Sequence, residues 1–164
     1  MIGDRWGVTP AEVARRYPCD DVVPDPVFRA WRGVTVRAAP EAVWPWVAQI
    51  RLAPYSYDWI DNFGRRSPRR LQGLPEPAAG DPFTTALGGR SLGRVIWSVP
   101  GEQLTARIMG TVMSYVLVPD GQVTRLLLKI VSASAPALAP LLSVGDLVMA
   151  RRQLLNLARL AERT

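Results

Sequence analysis

Apolar positions recur at helical spacing from Leu141 to Thr164. At about 100° per residue, Leu147, Ala150, Leu154, Leu157, Ala158 and Ala161 share one face, with Val144, Val148 and Leu155 on its flanks. Arg152, Asn156, Arg159 and Arg163 fall on the opposite, wet side. A stripe that broad predicts a long helix lying on an extended apolar surface rather than against one partner helix.

Upstream the period drops to two. Phe83–Leu87, Leu92–Val99, Leu104–Met109, Val112–Val118 and Val123–Ser132 read as five strands, separated by Gly88-Gly89, Pro100-Gly101, Gly110 and Asp120-Gly121. Asp-Gly between two alternating runs is a hairpin signal. In the last run Thr124, Leu126, Leu128 and Ile130 share one face while Arg125 and Lys129 share the other. One dry and one wet face predict an antiparallel sheet. A further strand is expected at Gly33–Ala38, followed by a helix opening at Pro40-Glu41 with Val43, Val47 and Ile50 at helical spacing. Pro45 is expected to kink that helix or confine it to a loose first turn.

The first 32 residues are punctuated by arginine and proline. Thr9-Pro10-Ala11-Glu12 has the N-cap, first-turn proline and third-position acid of a short helix, expected to end at Pro18. Cys19–Pro26 is expected to be an extended loop. Residues 1–32 are therefore assigned to an extension packing on the domain without a core of its own, and 33–164 to a single domain. The order strand, helix, aromatic segment, five antiparallel strands and long helix predicts an α+β fold, the curved sheet wrapped around the C-terminal helix.

Composition narrows the function classes. With 164 residues, 48% of them hydrophobic and 21% charged, the chain can bury a sizeable core. The net charge of +6 is carried by arginine apart from Lys129, a bias of the kind GC-rich genomes produce. Histidine is absent, which removes Ser-His-Asp and Cys-His catalysis and His-ligated metal. Cys19 is the lone cysteine. The opening Met-Ile-Gly-Asp-Arg-Trp lacks the apolar core of a secretory signal, and Ala133–Ala150 is too interrupted to span a membrane, so a cytoplasmic protein is expected.

The segments Ala39-Pro40-Glu41-Ala42-Val43-Trp44-Pro45-Trp46 and Tyr55-Ser56-Tyr57-Asp58-Trp59-Ile60-Asp61-Asn62 resemble the SRPBCC superfamily: START-like, birch-pollen-allergen-like and polyketide cyclase/dehydrase proteins. The loop Pro75–Pro82 with Gly80-Asp81, and Asp146–Gln153 near the C-terminus, are similar to one bacterial branch of it. The resemblance runs from about Val23 onward. It implies a helix-grip fold with a cavity between sheet and C-terminal helix. It also implies a hydrophobic or amphipathic ligand such as a lipid, sterol or polyketide, and in some members a cyclase or hydrolase activity. One departure concerns the cavity mouth, where Arg51-Leu52-Ala53-Pro54 is short and apolar instead of glycine-rich.

Candidate site residues follow. Tyr55, Tyr57 and Trp59 can line an apolar pocket with polar tips, or belong to the core beneath the sheet. Asp58 and Asp61 would share a face of a helical turn beside Asn62, a spacing suited to general-base chemistry or equally to capping and pairing with arginine. Two carboxylates and an amide make at most a loose Mg²⁺ or Ca²⁺ site, so no metal or cofactor is expected. Strand alternation turns Trp97 inward with Val95 and Val99 as a cavity wall, and leaves Tyr115 ambiguous. Arg151, placed within the apolar face of the last helix, must snorkel, pair with a carboxylate or meet an anionic group of a ligand. Arg65–Arg70 carries four arginines without interleaved aromatics, which argues against nucleic acid and leaves a solvated loop or transient contact with an anionic membrane surface. Two uses of the cavity stay open: a binder walled by Tyr57, Trp59, Trp97 and Tyr115, or an enzyme with Asp58 or Asp61 as base. A third reading is an interaction module whose cavity its own side chains fill.

Overall fold

The period-two runs become strands close to the predicted positions. In the computed structural model, residues 4–55, 66–86, 89–134 and 139–164 are described, with side chains of the last stretch from Val148 onward. The elements are β1 (Arg5–Trp6), α1 (Pro10–Ala14), α2 (Cys19–Val22), β2 (Phe28–Val36), α3 (Pro40–Ala48), a 3₁₀ turn Gln49–Arg51, β3 (Pro82–Ala86), β4 (Arg90–Val99), β5 (Gln103–Ile108), β6 (Thr111–Asp120), β7 (Val123–Ser132) and α4 (Ala139–Arg163). The seven strands form one curved sheet in the order β1-β2-β7-β6-β5-β4-β3, antiparallel except for β1 beside β2. The β6–β7 hairpin pairs Asp120 with Val123, so the two-residue loop is Gly121-Gln122, one residue later than the Asp-Gly signal suggested.

α4 lies on the inner face of the sheet, packed on β2 and α3. Ala150, Leu154, Leu157, Ala158 and Ala161 are buried there against Val34, Leu104, Leu126, Leu128 and Ile130. Helix α3 continues through Pro45 to Ala48. The proline removes one backbone bond, but Val43, Trp44, Trp46 and Val47 are all buried and hold the helix in place. Trp46 donates its indole N–H to Thr164 Oγ1 at 3.0 Å, and Trp44 donates to Glu76 Oε2 at 2.8 Å. None of the helices, among the described residues, is long and apolar enough to cross a membrane.

The N-terminal segment departs from expectation in three ways. Strand β2 starts at Phe28, so the 32/33 boundary cuts through a strand. Its sequence hid this because both faces are used: Ala30 and the fully buried Arg32 point inward, while Trp31 is buried on the outer face. Second, the expected loop at Cys19 contains the helical turn α2, where Asp20 Oδ2 accepts the Tyr17 N–H at 2.8 Å. Third, the segment does build a core. Tyr17, Cys19 and Val23 bury Trp31, Val112, Val116, Leu127 and Val131 on the outer face, which is therefore not wet. Burial pushes the Cys19 thiol up to about 11, so this cysteine is a packing residue and not a nucleophile.

Two charged pairs fasten this cover. Lys129 Nζ meets Asp20 Oδ1 at 2.6 Å, with the ammonium 5.5 Å from the Tyr17 ring and 5.2 Å from the Trp31 ring. Arg125 donates two bonds to Glu12, at 2.7 and 2.8 Å, and a third to the Gly7 carbonyl at 2.6 Å. Glu12 also completes the capping box with Thr9. Hydrogen bonding from Arg125 holds the Glu12 carboxyl below the ordinary carboxylate value. A carboxyl that binds protons less readily when folded stabilises the native state above its unfolded pKa, about 4.3, and loses that contribution as pH falls through the folded value. Glu12→Gln is accordingly expected to lower stability at neutral pH and to flatten the acid limb of a pH-dependent urea titration. An acid limb identical to that of the parent protein would show that the pair is not coupled to folding.

Candidate functional site

Between the inner face of the sheet and α4 lies a cavity of about 140 Å³. Strands supply Phe83 and Thr84 from β3, Ile108 from β5, Met113 and Tyr115 from β6, and Leu128 and Ile130 from β7. Ile50 and Pro54 close one side, and Met149, Ala150 and Gln153 of α4 close another. Gly93 lets the β3 edge come in close, since a Cβ there would stand 2.5 Å from the Arg107 carbonyl and 3.3 Å from Phe83 Cβ. The Phe83 and Tyr115 rings lie 6.2 Å apart with a 34° tilt. Thr84 directs its hydroxyl away, to the Ile50 carbonyl at 2.7 Å. The walls are thus apolar apart from one end.

That end is built by Tyr115 and Gln153. The Tyr115 hydroxyl donates to Gln153 Oε1 at 2.7 Å, and Gln153 Nε2 donates to the Pro54 carbonyl at 2.6 Å. One turn along α4, Asn156 Nδ2 donates to the Tyr55 carbonyl at 2.9 Å. Two amides of the helix therefore hold consecutive carbonyls of the segment that leads into residues 56–65. Gln49 performs a similar task for the long loop. Its Nε2 donates to the Tyr55 hydroxyl and the Arg70 carbonyl, and its Oε1 accepts the Gln72 N–H at 2.8 Å.

The predicted site residues divide sharply. Tyr115, ambiguous by alternation, is a cavity wall. Tyr55 is a core residue: buried, edge-on to Trp46 at 6.3 Å, its hydroxyl donating to the Pro68 carbonyl at 2.7 Å. Its backbone sits at φ 57, a left-handed conformation unusual for tyrosine that the bonds to Asn156, Gln49 and Pro68 hold in place. Tyr57, Asp58, Trp59, Asp61 and Asn62 lie outside the described residues.

Trp97 does not line the cavity. It is 50% exposed, because the β4–β5 register shifts between Val95 and Trp97. Val95 pairs with the inward Ala106, whereas Trp97 pairs with Thr105, which bonds to Ser114 on the outer side. The extra residue, Ile96, reverses the side that simple alternation assigns. Trp97→Ser is expected to change stability by only about 0.5 kcal/mol and to leave ligand affinity at the inner cavity unaltered. An affinity loss in a binding titration would put Trp97 back at the site.

Arg151 is not in the cavity either. It is exposed, with its guanidinium 5.0 Å from the Trp6 ring of β1. Snorkelling onto an aromatic from the N-terminal segment resolves its position, so neither a sheet carboxylate nor a ligand anion is required. Sequence reasoning missed Gln153, Asn156 and Gln49. Gln153 follows Ala150 by three residues within the apolar stripe, so a polar group inside that stripe was the available signal. Asn156 was assigned to the wet face and instead reaches inward to the backbone.

No protein-family model and no curated protein matches this chain. Solved structures do. Protein MLL2253 of Mesorhizobium loti is 18% identical, covering 84% of this chain and 98% of its own, with a TM-score of 0.59. A Rhodobacter sphaeroides protein is 17% identical over 83% of this chain and 93% of its own, with a TM-score of 0.57. The solution structure of KanY is 17% identical over 82% and 97%, with a TM-score of 0.51. At these identities the likeness establishes the shared fold, the helix-grip arrangement of curved sheet and C-terminal helix.

Proposed function

We propose that the chain binds one small hydrophobic or amphipathic molecule between the sheet and α4, in the manner of an SRPBCC-type protein. The observation that carries this reading is an unfilled, apolar-walled space closed at one end by the Tyr115–Gln153 pair. At about 140 Å³ it matches in size an apolar cavity of about 150 Å³ that takes up benzene. The ligand is therefore one ring or a short branched alkyl group, or the end of a longer lipid or polyketide that continues past the described walls. Gln153 has a second amide N–H and a second lone pair beyond the two bonds it makes, so a hydroxyl or carbonyl on the ligand would be read there.

Binding is favoured over catalysis because Tyr115 is the only titratable side chain among the described lining residues. The cyclase or hydrolase reading rests on Asp58 or Asp61 as general base. Alanine at either position separates the two, since a binder keeps its affinity and an enzyme loses turnover. An unfilled space also weighs against an interaction module with a self-filled cavity.

Native mass spectrometry of the purified protein, before and after denaturation, is the direct test. A discrete co-purifying small molecule is the expected result. A clean apo mass that persists after incubation with fatty acids, sterols and aromatic polyketides would overturn the reading. With a ligand in hand, Gln153→Leu is expected to weaken hydroxyl- or carbonyl-bearing ligands about tenfold, the worth of one buried hydrogen bond, and to spare purely apolar ones. Equal weakening of both classes would show that Gln153 acts only by holding Pro54.

A further inference from the structure

We propose that the outer face of the sheet carries a second binding site, a groove beneath the N-terminal segment that takes a small oxyanion, the phosphate or carboxylate of a small molecule or headgroup. The groove has a volume of about 510 Å³, within the range of small-molecule sites. It lies on the face opposite the inner cavity and does not rest on the reading of that cavity.

The lining is dominated by donors. Arg15, Arg16, Arg29 and Lys129 face two carboxylates, Asp20 and Asp21. Both acids are already engaged, Asp20 by Lys129 and Asp21 by Arg16. Arg15 and Arg29 remain, exposed and, among the described residues, without a carboxylate against them.

A second observation comes from Trp31, which lines the same groove. It is more than nine-tenths buried, yet its indole Nε1 has no hydrogen-bond partner. An indole nitrogen and a guanidinium can only donate. A buried donor left unmatched, beside two arginines left uncompensated, calls for an acceptor that carries negative charge. Stacking is not the attraction, because the Trp31 ring already has Lys129 at 5.2 Å and Arg5 at 5.5 Å. Those two cations instead add to the positive potential around the indole. A compact oxyanion accepts from guanidinium and indole donors alike and offsets their charge, whereas an apolar molecule accepts from neither.

The test is titration of inorganic phosphate into the full-length protein at constant ionic strength, following the indole N–H resonances by ¹⁵N–¹H NMR. Trp31→Phe assigns the Trp31 signal. This variant keeps one aromatic ring and deletes an unmatched donor, so it is expected to lose some packing and still unfold cooperatively. A saturable shift of the Trp31 indole is expected, with affinity reduced about tenfold or more in Arg29→Gln and further in Arg15→Gln/Arg29→Gln, as charge-assisted bonds are removed. Absence of a saturable shift would overturn the proposal. So would a shift unchanged in the double variant, or one that chloride reproduces at the same ionic strength. Co-sedimentation with phosphatidylglycerol but not phosphatidylcholine vesicles, competed by phosphate and lost in the double variant, would identify a lipid headgroup as the source. Phosphate binding without co-sedimentation would identify a soluble anion. Vesicle binding that leaves the Trp31 resonance unmoved would overturn the site.

Discussion

Ala150→Leu is expected to weaken the proposed ligand uptake at the inner cavity steeply while leaving the fold intact. Ala150 is buried in the apolar stripe of α4 and also lines the cavity, so the added carbons enter space that is empty without ligand. Each methylene taken out of water is worth about 0.8 kcal/mol, offset by imperfect fit, and net stability should therefore move by about 1 kcal/mol or less. The ligand meanwhile loses the volume it needs. A hundredfold weakening, equivalent to about 2.7 kcal/mol, is the expected scale in a binding titration. The same change at Ala158 provides the contrast. Ala158 lies on the same stripe two turns later and is not among the residues lining that cavity. There the extra volume overpacks the core and is expected to cost about 1–3 kcal/mol. If Ala150→Leu is as destabilising as Ala158→Leu, or if ligand uptake survives it, the space at Ala150 is not the binding site.

The second large effect concerns the N-terminal cover. The Lys129 side chain is 8% exposed, and its carboxylate partner is Asp20. Asp20→Asn retains the shape and the cap on Tyr17 but removes the charge, leaving an ammonium buried between two rings. Breaking a buried pair in this way costs about 3 kcal/mol, because the remaining charge has lost its compensation. Adding Lys129→Met should recover most of that loss, since neither charge is then buried alone. Urea unfolding reads both results as midpoint shifts at constant slope. A cost below about 1 kcal/mol for the single variant would place the pair among ordinary surface salt bridges. The cover would then be held by the packing of Tyr17, Cys19 and Val23 and by the Glu12–Arg125 pair.

These two predictions sit on opposite faces of one sheet, and the sequence was informative about them to different degrees. The stripe on α4, the five strands from Pro82 to Ser132 and their hairpins could be read from periodicity, because backbone geometry alone imposes periods of 3.6 and 2 on any buried face. The α+β class and the wrapping of sheet around helix followed from the breadth of that stripe. Tyr115 could be placed on a strand, though not on a side.

What periodicity cannot carry is a change of side or a choice of partner. Trp97 reads as inward until Ile96 bulges, and a bulge is decided by pairing with β5, not by β4 itself. Arg151 reads as lying within an apolar face, and its resolution depends on Trp6, far away in sequence. Tyr55 was equally suited to pocket or core. Gln49, Asn156 and the Pro68 carbonyl, brought to it from three other segments, made it core. The N-terminal segment looked polar and loop-like because its apolar residues are few. Only the folded sheet, which presents Leu127, Val131, Val112 and Val116 on its outer face, turns Tyr17, Cys19 and Val23 into a second core. Local spacing in the sequence was enough for the order of the main strands and helices from Gly33 onward, since their periods are imposed by backbone geometry. The tertiary structure decided which face each aromatic and each arginine occupies, since burial and pairing energies arise between segments distant in the chain.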